Sequence, residues 1–170
     1  MKINTTINGK AVSLEVNPNT MLAEALRKAG YKGVKVGCNE GSCGACAVMI
    51  DGRPRNSCIL PAGMVEGSEI LTVEGMGNPE NPHVLQQAFV DSGSTQCGYC
   101  NPGALIAAKA LLDCNQNPTA DDVKDALDGN LCRCTGYVKR IDAVLAAAKA
   151  GRKTDKKAVK KPAKRAGGKK

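Results

Sequence analysis

Nine cysteines stand at positions 38, 43, 46, 58, 97, 100, 114, 132 and 134 of a 170-residue chain whose single histidine is His83. Thiols at such density act as nucleophiles, disulfide partners or soft metal ligands. An odd total argues against a disulfide framework, as does a start (MKINTTINGK) that shows neither the apolar run of a signal peptide nor a twin-arginine pair. Cytoplasmic, reducing surroundings are therefore expected. With Cys114 set aside, the others fall into two quartets, Cys38-x4-Cys43-x2-Cys46-x11-Cys58 and Cys97-x2-Cys100-x31-Cys132-x-Cys134. Each offers four thiolates and no imidazole, which reads as two metal centres.

Four thiolates suit structural zinc or an iron–sulfur cluster. In the first quartet, C-x4-C-x2-C followed by a distant Cys is the plant-type [2Fe–2S] spacing, whereas zinc sites usually present paired C-x2-C knuckles. Gly37, Gly41 and Gly44 punctuate VGCNEGSCGACAV and let the backbone wrap closely, bringing N–H groups to bridging sulfides that a zinc ion lacks. The second quartet, C-x2-C plus C-x-C, fits zinc and [2Fe–2S] equally well by spacing alone. A Rieske centre needs two histidines and is excluded. His83, in NPHVLQQAF, sits where a helix begins and is read as a cap or a solvent-facing residue. Cys114 closes a helix with no cation beside it, and is read as a half-buried, inert thiol.

These ligands need elements to hold them. KINTTI and KAVSLEV alternate around Asn8-Gly9, a strong hairpin signal. NPNTMLAEALRKAG reads as a helix capped by Thr20 or Asn19, with Leu22, Ala25, Leu26 and Ala29 on one face and Gly30 as its stop. Residues 45–50 (ACAVMI) read as a buried strand, Asp51-Gly52 as its turn, and 69–75 (EILTVEG) as a last strand. Helices follow: 83–92; GALIAAKALLDC behind Pro102; a segment capped by Thr119 with Val123, Ala126 and Leu127 inward; and RIDAVLAAAKAG, with Gly151 beyond its end. Their Ala-rich faces predict close packing as a small four-helix arrangement, with both cysteine pairs in loops at helix ends.

The net charge of +8 is a property of the end of the chain: residues 151–170 hold ten Lys or Arg against Asp155, leaving residues 1–150 at −1. That Lys-rich stretch predicts a disordered, solvated tail. Four aromatic residues and no Trp give no stacking platform for nucleic acid. No apolar run is long enough for a transmembrane helix. G-x-G-x-x-G and P-loop patterns are absent, and one histidine allows no imidazole triad.

CNEGSCGACAV, QCGYCNPG and GNLCRCTGY, in this order, resemble the iron–sulfur subunit of the molybdenum hydroxylases, the family of xanthine dehydrogenases, aldehyde oxidoreductases and aerobic carbon monoxide dehydrogenases. The resemblance covers residues 1 to about 150. It implies an α+β chain: a plant-ferredoxin-like β-grasp domain (1–76), then a four-helix [2Fe–2S] domain (77–150), with residues 151–170 as the tail. It makes Cys38, Cys43, Cys46 and Cys58 the ligands of one [2Fe–2S] cluster, and Cys97, Cys100, Cys132 and Cys134 those of a second. Gln96 and Cys134 match family positions that approach the pterin of the molybdenum cofactor. Asn101 departs from the Thr or Ser common in C-G-[YF]-C-T-P-G. The implied role is electron transfer from molybdopterin in a large subunit, through the two clusters, to FAD in a medium subunit, within a heterotrimer that forms dimers. A free two-cluster ferredoxin and, remotely, a zinc module with a nucleic-acid-binding tail are the competing readings.

Overall fold

The computed structural model describes residues 1–158, with side chains described through Gly151. The alternation in KINTTI places Ile3, Thr5 and Ile7 on the inner face of strand β1 (Lys2–Ile7). Asn8 and Gly9 turn the chain at φ 52° and 75°, and β2 (Lys10–Glu15) returns antiparallel with Ile3 opposite Leu14. Two successive positive φ angles match the right-handed twist of the strands they join, which is why Asn-Gly is favoured there.

Helix α1 (Leu22–Lys28) buries Leu22, Ala23, Ala25 and Leu26. Neither Thr20 nor Asn19 caps it: the N-cap residue is Met21, without a side-chain hydrogen bond. The Leu22 amide goes instead to the Leu60 carbonyl (2.7 Å), and the Thr20 hydroxyl accepts from Asn17 N (3.2 Å). Ala29, expected inside, is exposed one residue past the helix, and Ala23 takes its place in the core.

The apolar run at 45–50 becomes β3 (Ala47–Ile50), which starts late because Gly44 turns at φ 69°. Asp51 and Gly52 form a second two-residue turn into β4 (Arg53–Asn56), whose RPRN sequence carries no apolar alternation; it is an exposed edge strand that accommodates Pro54. The last strand, β5 (Glu69–Leu71), is shorter than expected. Asn8 Oδ1 accepts from Thr72 N (2.9 Å) and Asn8 Nδ2 donates to Thr72 Oγ1 (3.0 Å), ending the ladder, and Val73–Gly75 form a 3-10 turn. The sheet order is β2-β1-β5-β3-β4, with β5 parallel to β1 and antiparallel to β3.

Four further helices follow: α2 (Val84–Asp91), α3 (Asn101–Cys114), α4 (Ala120–Leu127) and α5 (Val138–Ala158). His83 caps α2, its Nδ1 accepting from Leu85 N (3.2 Å) while Gln86 Oε1 accepts from His83 N (2.8 Å). Thr119 caps α4 in the same reciprocal way with Asp122. Val123 and Leu127 are buried, Ala126 only half-buried. Two expectations fail at helix ends. Helix α5 runs through Gly151 to Ala158, so the segment expected to be disordered begins as helix; the rest of it, 159–170, lies outside the described residues. Cys114 is exposed rather than half-buried, because the last turn of α3 rotates it away from the core.

One core fills the sheet side (Ile3, Ile7, Leu26, Val48, Ile70) and a second the helices (Leu85, Phe89, Ala108, Val123, Val144). Ala47 and Met49 on β3 meet Ile106 and Ala110 on α3, so the two layers share apolar contact. Among the described residues no helix is long and apolar enough to cross a membrane.

Candidate metal centres

The loop carrying Cys38, Cys43 and Cys46 follows α1 and enters β3. Its path depends on left-handed backbone at Asn39 (φ 60°), Gly41 (φ 79°) and Gly44 (φ 69°), which bends the main chain around its thiols. A Cβ on Gly37 would come within 3.0 Å of Cys43 Sγ. Cys58 arrives from the far side on a 3-10 turn (Ser57–Ile59), anchored by Ser57 Oγ donating to the Cys46 carbonyl (2.6 Å). Cys46 and Cys58 are buried; Cys38 and Cys43 are half-buried.

Main-chain amides converge on these sulfurs. Glu40 N lies 3.4 Å from Cys38 Sγ, and Gly41 N donates to Cys58. Hydrogen bonds from the Glu40 amide, the Ser42 side chain and the Cys43 amide hold the Cys38 thiol down at about 6. Burial and the neighbouring Cys46 push Cys58 up to about 11. The thiols meet two by two, Cys38 with Cys43 and Cys46 with Cys58.

The second quartet lies where two helices begin. Cys97 and Cys100 flank Gly98 (φ 81°), and Cys100 is the N-cap residue of α3. Cys132 and Cys134 precede α5, in a turn set by Tyr137 (φ 69°), whose hydroxyl accepts from Cys132 N (2.7 Å). Cys97 Sγ and Cys134 Sγ are 3.7 Å apart, and Cys100 contacts Cys132, so these thiols too pair two by two. Burial alone would raise Cys132, but the Thr135 hydroxyl (3.1 Å) and the Cys134 and Thr135 amides bring it to about 7. Burial raises Cys100, against the pull of Arg140. Contact with Cys97 raises Cys134. Cys100 is buried, whereas Cys97, Cys134 and the neighbouring Gln96 are exposed.

Among the described residues no three His, Cys, Asp or Glu gather about a single point. Four thiols per site, with main-chain amides aimed at sulfur, suit a centre that carries bridging sulfide. The donor set and the cradle fit a [2Fe–2S] cluster at each quartet.

The two loops touch. Leu131 N donates to the Cys43 carbonyl (3.0 Å), and Tyr99 Oη donates to the Val36 carbonyl (2.8 Å). Gly103, in the first turn of α3, lies against the Gly44 carbonyl so closely that any Cβ would collide, and Gly44 itself abuts the Gly129 carbonyl.

Comparison with known proteins agrees with this layout. Residues 5–71 match the 2Fe-2S iron-sulfur cluster binding domain, and residues 72–145 match a [2Fe-2S] binding domain. The chain is 48% identical over 138 residues to the nicotinate dehydrogenase small FeS subunit of Eubacterium barkeri, covering 81% of this chain and 88% of that subunit. The chain belongs to the iron–sulfur subunit family of the molybdenum hydroxylases. Members of this family occur as separate chains or as parts of longer ones. Quinoline 2-oxidoreductase from Pseudomonas putida 86 superposes with a TM-score of 0.86 at 44% identity, over 90% of this chain and 96% of that one. Aldehyde oxidoreductase from Desulfovibrio gigas gives 0.87 at 43% identity, over 91% of this chain but only 17% of its own length. Such a subunit takes part in an oxidoreductase without itself being catalytic, and its role is electron transfer.

Sequence reasoning left several neighbours of the thiols unread. Tyr99 and Leu131 join the loops through main-chain carbonyls, which no spacing rule reports. Arg140 is 1% exposed, with Nη2 2.9 Å from Cys100 Sγ. A signal for it existed: Ala143, Val144 and Ala147 lie three, four and seven residues further on, so helical phase puts Arg140 on the buried face of α5.

Proposed function

We propose that this chain conducts single electrons between a molybdopterin centre in a large subunit and FAD in a medium subunit. Cys97, Cys100, Cys132 and Cys134 would hold the cluster that receives electrons first, and Cys38, Cys43, Cys46 and Cys58 the one that passes them on. Each [2Fe–2S] cluster, when bound, takes up or gives off one electron. The chain's residues hold the thiolates in pairs, surround them with amides, and keep the two loops in contact. The observation that carries the reading is the eight-thiol arrangement itself: two paired quartets in loops joined by the Leu131–Cys43 hydrogen bond.

Exposure supports the direction. Gln96, Cys97 and Cys134 are exposed, as are Leu131 and Val138 a few residues either side of Cys134, which suits contact with a pterin-bearing partner. The partners are read as two larger subunits in a heterotrimer, itself paired, in the cytoplasm. The domain limits are read as 1–76 and 77–150, followed by 151–170. Substrate chemistry falls to the large subunit, so the nicotinate and quinoline in the relatives' names indicate a class of reaction, oxidation at a molybdenum site, rather than a substrate for this chain.

Anaerobic purification of the full chain from its native host, with metal, sulfide and spin analysis, tests the reading. About four irons and four acid-labile sulfides per chain, two distinct spin signals and two co-purifying larger subunits are expected. Zinc without sulfide, or a single spin signal in a fully loaded sample, would overturn it. Two clusters in a chain that purifies alone would mark a free ferredoxin.

A further inference from the structure

Arg140 is the largest fully buried side chain among the described residues. Its guanidinium cannot lose its charge, so burial has to be met by an anion or by hydrogen bonds. Nη2 donates to Cys100 Sγ (2.9 Å) and to Asn101 Oδ1 (2.8 Å), while Nε and Nη1 have no partner among the described residues. No carboxylate is paired with it: the ion pairs among those residues are Lys109–Asp113 and Lys124–Asp121.

The surroundings fix its position. Asn101 Nδ2 donates to Thr95 Oγ1 (2.8 Å), which orients the amide so that its oxygen faces Arg140. Thr95, Asn101, Arg140 and Cys100 thus form one hydrogen-bonded row ending on a sulfur. Asn101 is also where this sequence leaves the Thr or Ser of the resembled motif, and the longer Asn side chain is the one that reaches the guanidinium. A packing role alone would be served by a leucine in the same slot, without a buried charge.

We propose that Arg140 is a positioning residue that raises the reduction potential of the centre held by Cys97, Cys100, Cys132 and Cys134, with Asn101 fixing its orientation. This rests on the reading that the second quartet holds a [2Fe–2S] cluster. Four thiolates and the cluster they bind carry net negative charge, and uptake of one electron adds another. A fixed positive charge in contact with a ligand sulfur opposes that accumulation in a poorly screened interior and makes the centre easier to reduce. No bond forms or breaks; the electron comes from the reductant, and its acceptor is the iron pair.

The test is an anaerobic dithionite titration of the full chain loaded with both clusters, followed by spin resonance at each centre, in the parent and in Arg140→Lys, Arg140→Gln and Arg140→Leu. Gln and Leu should make reduction of the second centre at least tenfold less favourable, about 59 mV for a one-electron couple. Lys should stay close to the parent, and the first centre should not move in any variant. The proposal is overturned if Lys and Gln titrate alike, or if the second potential stays put in Gln. Should Leu lose the second cluster, the Lys and Gln pair still decides. Cluster loss in Gln with retention in Lys supports the charge, and loss in both overturns it. A parent that binds no second cluster fails the underlying reading instead, and iron and sulfide counts on the parent show which has failed.

Discussion

The amide of Leu131 donates to the carbonyl of Cys43 across 3.0 Å. Leu131 immediately precedes Cys132, so one hydrogen bond and two residues of chain connect a candidate ligand of the first quartet to one of the second. Association of the quartets is therefore built into the main chain rather than left to surface side chains. The consequences of this layout can be measured.

Replacing Cys43 by Ala should remove the first centre and spare the second, because no thiol is shared between the quartets. Iron and acid-labile sulfide should fall to about half, with one spin signal lost and the other unchanged in shape. Metal analysis and spin resonance on the purified full chain check this.

Gly103→Ala forces a methyl into the Gly44 carbonyl, and Gly44→Ala adds a left-handed φ to a collision with the Gly129 carbonyl. Each should destabilise the fold by about 1–3 kcal/mol, as overpacking of a tight contact does. Because both strain the packing around Gly44, relief of one can ease the other, and the double variant should cost less than the two singles added together. Denaturant unfolding of all three gives the comparison.

Tyr99→Phe removes only the hydroxyl that donates to Val36. The bond is exposed, so about 0.5–1 kcal/mol of stability should go, with cluster content intact. Hydrogen exchange should quicken at residues 36–38 and 97–99 before anywhere else.

Acid should loosen the start of α2. His83 caps through an unprotonated Nδ1, and burial first, then the Lys109 charge, lower its pKa from 6.5, while Asp113 opposes them. A base with a depressed folded pKa contributes fully above its unfolded value and loses that contribution as pH falls below about 6.5. His83→Asn keeps an acceptor at the cap and should flatten the dependence between about pH 7 and 5. Thermal melting across that range tests it. Asp122, held low by the Thr119 amide and hydroxyl, acts at more acid pH, its contribution being lost as pH drops below about 3.8.

Much of this was written in local chemistry. Asn8-Gly9, the Thr119 cap, His83 at a helix start and the cysteine spacings are short-range features, and short-range rules found them. Strand β4 escaped because RPRN at an exposed edge has no buried face to produce alternation. The stop at Leu71 depends on Asn8, more than sixty residues away, and the cap of α1 on a carbonyl at Leu60; both are tertiary choices. Arg140 was hidden for a different reason: its type says surface, and only its helical phase says core.

Gly103 lies on the Gly44 carbonyl and Gly44 on the Gly129 carbonyl, so at both contacts polypeptide lies directly on polypeptide with no Cβ between. The interval between the two cysteine loops is thus set by the thickness of the main chain itself. Electron tunnelling weakens exponentially with distance, so this interval acts as a ruler. Under the proposed electron path, a change elsewhere on the surface leaves this interval, and with it the length of the step between the loops, unaltered.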